Sequence, residues 1–492
     1  MTALISRSSH SAGTFPLLQE LEFVAHSNLP RVSFHDRMQE LKGLRDQALQ
    51  QSSNKASVVI SGGGPAGLIR GICALINGNP TTIIEKRAEL DNGRENTVAL
   101  DKESLNVLCF YGVHQYLDEN KLILPFNGEY LPVRLKDLER AMKVVIAELT
   151  SVPIIQYDSQ VEQINDADVQ SSQNAKINLI YKSAVGQKTQ LDAIDVLVVA
   201  EGAHSYTNEH LLHNHRIAVL PLVPVISAIY KDDRPSISGL STFLQYIGKT
   251  LASTATSVYY YTIFTFKFIF QGENFFNLQR RLAGSLILKT PGQNYLGVGL
   301  SREESDKMMQ LCQVLEDAKA ALEEARNQNT SSPDRLTQLQ KNVDDAQKNQ
   351  DSYLRYWTGL AFCFANVLNV FRFIYGETPL HLASRLPLDH VSVTKIGADR
   401  SSAYSGTIGR TSYLIAGDTL ATVDPTTGLG CTTAIKTVID FNDFINGLDK
   451  NMDPHFLHTV YSDSSAQRIR QNHDQSLSKR RLFRPDAVSC EE

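Results

Sequence analysis

The run SVVISGGGPAGLIRGICALINGNPTTIIEKR, residues 57 to 87, constrains this chain more than any other part of it. A short apolar segment leads into three consecutive glycines, a helical pattern follows, and a second β-branched run ends at Glu85. That order is one complete βαβ unit, and it commits the chain to a parallel sheet with helices packed on it. Gly62, Gly64 and Gly67 fit GxGxxG. The first permits a tight turn, the second lets the backbone approach a pyrophosphate, and the third allows close packing of helix on strand, which aims the helix amino end at negative charge. Glu85 stands 18 residues after Gly67, where a carboxylate accepts both hydroxyls of an adenosine ribose. A dinucleotide site is expected, and the fingerprint alone does not separate FAD from NAD.

The separation comes from the far end of the chain. Gly417-Asp418 closes the run YLIAG and is followed by Pro425, Gly428 and Gly430, then by the helical stretch TTAIKTVIDFNDFI. An aspartate there is placed to hydrogen-bond ribityl hydroxyls, and a second glycine turn opening a helix directs its dipole toward an isoalloxazine ring. A simple nicotinamide dehydrogenase has no need of this second element. The runs DAIDVLVV (192 to 199) and YLIAGDTL (413 to 420) read as buried strands, so distant segments are expected in one sheet. Between them VYYYTIFTFKFIF (258 to 270) and NYLGVGL (294 to 300) suit an antiparallel sheet.

Residues 311 to 357 differ in character. Leu311, Val314, Leu315, Ala318, Leu322 and Ala325 form one apolar stripe and Leu336, Leu339, Val343, Ala346, Tyr353 and Trp357 a second, with Ser332-Pro333 opening the latter. A helical hairpin is expected, either an inert insertion or an arm that binds a protein partner.

With 492 residues, 42% of them hydrophobic, the chain has room for two or three domains with large cores. A net charge of -5 gives no general electrostatic reason to bind nucleic acid. Cys73, Cys109, Cys312, Cys363, Cys431 and Cys490 are scattered singly, which suits reduced thiols and a cytoplasmic location. The amino terminus lacks the apolar core of a signal peptide, and the stretch 359 to 375 contains Asn366, Asn369 and Arg372, so a buried helix rather than a transmembrane segment is expected. His204, His210, His213 and His215 follow no zinc-site spacing, and no metal site is expected.

Taken together, GGGPAG at 62 to 67, the strand-plus-EG element at 195 to 202 and GDTLATVDPTTGLG at 417 to 430 resemble the para-hydroxybenzoate hydroxylase superfamily of flavin monooxygenases. Within it, IEKR at 84 to 87, then Arg94, Asn96 and Val98, and VRLKDLERAM at 133 to 142 are most similar to the monooxygenase domain of the MICAL proteins. The resemblance implies an α/β fold: a Rossmann-like FAD-binding domain of the glutathione-reductase type, with a discontinuous antiparallel-sheet substrate domain and a helical insertion. The implied division is a helical extension over 1–56, the FAD-binding domain over 57–205 and 395–450, and the substrate domain over 206–310 and 358–394. The hairpin occupies 311–357, and a helix with a basic tail occupies 451–492.

Carried across residue by residue, Pro65 and Ala66 complete the turn of Gly62, Gly64 and Gly67, while Glu85, Lys86 and Arg87 contact the adenosine ribose and its surroundings. Arg94, Asn96 and Tyr295 are implied on the flavin side, Asp418 at the ribityl chain, and Gly428 and Gly430 in the second turn. The implied reaction takes hydride from NADPH or NADH and oxygen from dioxygen, and places one oxygen atom on a small molecule or protein side chain. No catalytic acid–base pair is required and none is assigned. Three departures bear on this. Glu201 and His204 stand where an aspartate and an arginine are usual, Lys136 where an arginine is common, and Val423-Asp424 where MICAL proteins carry a bulky aromatic. These leave open a flavin oxidase or reductase without oxygen transfer, or a flavin-fold protein that acts mainly by binding another protein.

Overall fold

The computed structural model describes residues 32–51, 55–89, 97–123, 131–166, 176–230, 286–290, 293–299, 302–327, 332–370, 391–422 and 429–483. These form two compact units, one containing the described residues up to Ile217 with Arg400–Thr422 and 429–471, the other centred on Ala218–Asp399.

In the first unit the chain passes through α1 (Phe34–Gln51), β1 (Val58–Ser61), α2 (Pro65–Ile76) and β2 (Thr81–Ile84), the βαβ unit read from the sequence. There follow β3 (Thr97–Leu100), α3 (Lys102–Phe110), α4 (Val113–Glu119), β4 (Leu131–Arg134), α5 (Leu135–Leu149) and β5 (Ile155–Gln156). Three antiparallel strands, β6 (Ser159–Asp166), β7 (Ile177–Ser183) and β8 (Lys188–Ile194), precede β9 (Val196–Val199). The run 192 to 199, expected as one strand, is thus two strands in different sheets. Ala193 takes a positive φ of 54°, and the Asp195 carboxylate accepts from Ser57 N at 2.9 Å, which turns the chain between the sheets.

β9 pairs in parallel with β1, and on its other side with a strand from near the end of the chain. Alternate residues of the central strands face opposite ways, as the period of two demands. Val58, Ile60, Val196 and Val198 join a core built with α2, α5 and residues such as Ile435 and Phe441 from the end of the chain. Val59, Leu197 and Val199 join a second core with Val161, Ile177 and Leu179 of the three-stranded sheet. The result is three layers, helices on a parallel sheet on an antiparallel sheet, with near-continuous apolar strands in the middle because both faces are covered. α1 belongs to the helical layer: Met38 and Leu41 are in its core, and Arg37 and Arg45 donate to the carbonyls of Phe110 and Leu149, at the carboxyl ends of α3 and α5.

The second unit contains most of β10 (Arg216–Tyr230), with β11 (Leu286–Thr290) and β12 (Gln293–Gly299) in an antiparallel arrangement. It also holds two long helices, α6 (Arg302–Asn327) and α7 (Pro333–Val370), packed on each other. Both extend beyond the hairpin expected from the stripes, and α7 continues through the apolar run to Val370. Ser332 Oγ accepts from Arg335 N at 3.3 Å, a cap on the amino end of α7. The run 258 to 270 lies outside the described residues.

The chain returns through β13 (Val391–Ser401), β14 (Ser405–Ile408) and β15 (Thr411–Ile415). It ends with α8 (Leu429–Lys436), α9 (Val438–Asp449) and α10 (Pro454–Phe483), the last counted in the first unit as far as Gln471. The main sheet has the order β14-β15-β9-β1-β2-β5, with only β14 antiparallel to its neighbour.

Candidate functional site

The parallel strands bring their carboxyl ends to one edge. Ser61 lies beside Ile84 and Val199, Ile84 beside Gln156, and Val199 beside Ile415. Gly62, Glu85, Glu201 and Asp418 all follow within three residues of those strand ends. Loops at this edge are where open α/β sheets bind ligands.

The turn after β1 has no space for side chains. Gly62 holds a φ of +111°, and a Cβ on it would strike the Ala200 carbonyl. A Cβ on Gly67 would strike the carbonyl of Gly62, and one on Gly63 would sit 2.7 Å from Glu85 Oε2. Gly64 precedes α2 in extended conformation, Pro65 fills the first turn, and no side chain caps the helix. The amino end of α2 therefore presents backbone N–H groups and the positive end of its dipole, the elements of an anion seat.

Glu85 is buried and accepts from Gly63 N at 2.6 Å, from Arg87 N at 2.8 Å and from Arg87 Nε at 3.0 Å. Burial works against its charge, but the Arg87 guanidinium and the two backbone N–H groups outweigh it and hold the carboxyl below its usual range. Arg87 also reaches Glu139 of α5 and the Gly63 carbonyl, each at 3.3 Å. Glu85, Arg87 and the glycine turn are thus one bonded group, with Lys86 exposed beside it.

The second motif meets the first directly. Gly417 has a φ of +60°, and a Cβ there would come within 2.6 Å of Ala66 Cβ, so the first turn of α2 packs on the Gly417 backbone. Asp418 is exposed in a short turn, Gly417–Thr419, and a Cβ on Gly430 would be 3.9 Å from Asp418 Oδ1. Asp418, Gly430 and the start of α8 therefore lie together. Of the remaining expected residues, Tyr295 sits in β12 of the second unit opposite Ile229 and Leu288, and Arg94, Asn96 and Gly428 lie outside the described residues.

Glu201, singled out as a departure, has a structural environment that the sequence did not disclose. Its carboxylate accepts from Ser61 Oγ, from Ser205 Oγ at 2.7 Å, from Thr207 N at 3.0 Å and from Thr207 Oγ1 at 2.5 Å. It ties the end of β1 to the turn Thr207–Leu211, while His204 is exposed. Thr419 was missed as well: its hydroxyl accepts from Gly202 N at 2.9 Å and donates to Gly202 O at 3.0 Å, joining the EG element to the Asp418 turn. Arg216 donates to the carbonyls of Thr419 at 2.6 Å and Asp418 at 3.1 Å. Arg70 was the third omission, and a single charge inside the apolar run LIRGICALI was the available signal. Among the described residues no cluster of His, Cys, Asp or Glu could hold a metal ion.

No family profile matches the sequence, and no curated protein matches it. Solved structures do. An aklavinone-11 hydroxylase, in complex with FAD and aklavinone, matches with a TM-score of 0.53 at 13% identity, over 89% of this chain and 70% of its own. PqsL, a probable FAD-dependent monooxygenase from Pseudomonas aeruginosa, matches with a TM-score of 0.53 at 12% identity, over 88% and 98%. The fold is that of the FAD-binding hydroxylases. PyrE3, a Diels-Alderase of pyrroindomycin biosynthesis, matches with a TM-score of 0.50 at 13% identity, over 87% and 73%, so the likeness carries the fold and not the reaction.

Proposed function

We propose that this chain is an FAD-binding oxidoreductase of the flavin monooxygenase class, taking electrons from NADPH or NADH. The observation that carries the reading is the uncapped amino end of α2 behind the Gly62–Gly67 turn, packed through Ala66 onto the Asp418 segment at the same sheet edge. The residues fit the cofactor. The amino end of α2 would seat the pyrophosphate, and Glu85, kept ionised by Arg87, would accept adenosine ribose hydroxyls in exchange for internal donors from Gly63 and Arg87. Asp418 accepts ribityl hydroxyls, and the start of α8 at Gly430 lies beside it. Arg94, Asn96, Tyr295 and Gly428 are assigned to the flavin side on the motif resemblance alone. When bound, FAD supplies the redox chemistry, accepting hydride from the nicotinamide and activating dioxygen for transfer of one oxygen atom to the substrate.

Within the superfamily, the EKR and VRLKDLERAM segments favour kinship with the MICAL monooxygenase domain, without its substrate. The thiols of Cys73, Cys109 and Cys312, outside any disulfide, favour a cytosolic location, and no described helix is long and apolar enough to cross a membrane. A second reading, a flavoprotein without oxygen transfer, is favoured by the internal satisfaction of Glu201.

The test is the visible spectrum of the purified protein. Flavin absorbance, with FAD released on denaturation, is expected. Colourless protein that also fails to bind added FAD would sink the reading.

A further inference from the structure

The two motifs come from distant parts of the chain, and their packing depends on a residue that neither contains. Arg70, in the second turn of α2, is fully buried. Its Nη1 donates to Ala66 O at 2.8 Å and to Ala434 O at 3.2 Å, and its Nη2 donates to Thr437 Oγ1 at 2.9 Å. None of these acceptors is charged. Burying a guanidinium without a bonded carboxylate is costly, and an aliphatic side chain at such a position is often neutral or stabilising. Stability alone therefore does not account for an arginine here.

Geometry does. Ala434 lies in the last turn of α8 and Thr437 precedes α9, so Arg70 closes the carboxyl end of the helix that begins beside Asp418. A cation at that end also complements the helix dipole. Tyr461 of α10, in the same buried core, donates to the carbonyl of Ile415 at 2.9 Å, the last residue of β15. From α2, one side chain thus reaches the carboxyl end of the helix that leaves the Asp418 segment. One turn earlier the same helix packs Ala66 on Gly417.

We propose that Arg70 is a positioning residue for the cofactor: it clamps the carboxyl end of α8 to α2, fixing the Asp418 segment relative to the anion seat at the amino end of α2. This rests on the reading of the site as FAD-binding. The test uses the full chain, stripped of flavin and titrated with FAD, for the wild type and for Arg70→Met, Arg70→Lys and Thr437→Val. Flavin fluorescence gives the affinity, the absorbance band of the saturated protein reports the ring environment, and the melting temperature of the flavin-free protein reports the fold. Arg70→Met is expected to melt near the wild type, to bind FAD about tenfold more weakly and to shift the band, a loss of about 1.4 kcal/mol. Arg70→Lys, which keeps the charge, should fall between the two, and Thr437→Val should weaken FAD by about threefold.

A folded Arg70→Met with wild-type affinity and band would overturn the proposal. So would a lowered melting temperature with wild-type affinity in the folded fraction, which marks a purely structural arginine. Should Arg70→Met fail to fold, the lysine and Thr437→Val variants decide by the same criteria. A wild type that binds no FAD overturns the FAD reading itself, and with it the clamp, before any variant is compared.

Discussion

Gly67 has no room for a side chain, because a Cβ there would collide with the carbonyl of Gly62 in the turn it closes. Gly67→Val should leave FAD content below about a tenth of the wild type by absorbance, since overpacking shifts backbone that has nowhere to go. Glu85→Gln keeps the shape but removes the charge that Arg87 holds in place, and the affinity for FAD should fall about tenfold by fluorescence titration. Acid should act elsewhere. His458 bonds Ser412 Oγ at 3.1 Å and packs on Phe444; burial, with His455 adding to it, pushes its pKa from 6.5 to about 4. Between those values the unfolded chain takes up a proton that the folded chain refuses, so stability is complete above about pH 6.5 and is lost as pH falls toward about 4. The melting temperature of His458→Gln should therefore depend less steeply on pH in that window, and equal slopes would remove His458 as a cause. The glycines and Glu85 were legible because their spacing is local. The roles of Arg70 and Glu201 were not, because the bonds from Arg70 to Ala434 and Thr437 and from Glu201 to Ser61 join residues far apart in the chain, which only the fold brings together.

At the level of elements, periodicity located the hairpin and misjudged its ends. Met308, Leu315 and Leu322 are buried and recur every seven residues along α6, the repeat of a two-helix seam, and Ala346 and Leu354 are buried along α7. The stripe reading began too late because the first turns of α6, REESDK, carry no apolar signal. It stopped too early at Trp357, where the pattern of charged and apolar residues gives way to the mainly apolar run 359 to 370, which α7 continues through. Gln350 Nε2 lies 3.2 Å from Cys312 Sγ, so the helices are already side by side there and a short glycine linker spans the gap. Deleting 316 to 349 is expected to leave FAD content unchanged, and release of flavin would make the hairpin part of the cofactor-bearing core. The strand 192 to 199 was misjudged for a different reason. Asp195 interrupts its apolar pattern, and the break at Ala193 and Asp195 is held by a tertiary bond to Ser57 that the sequence does not disclose.

For the whole molecule, one fold serves hydroxylases and a Diels-Alderase alike, so the reaction must be read from individual side chains. Glu201 is occupied by Ser61, Ser205 and Thr207, and NADPH or NADH should consequently reduce the flavin slowly in the absence of substrate. Anaerobic stopped-flow bleaching would settle it, and rapid reduction without substrate would refute the expectation. The strand order carries a further consequence, for synthesis. β9 pairs on one side with β1 and on the other with β15, which the ribosome makes about 210 residues later. At 5–20 residues per second, a bare apolar sheet edge waits roughly 10–40 s for its neighbour. A nascent chain of this protein therefore depends on chaperones that hold open edges, and chains halted before Thr411 should aggregate even though their glycine turn is complete.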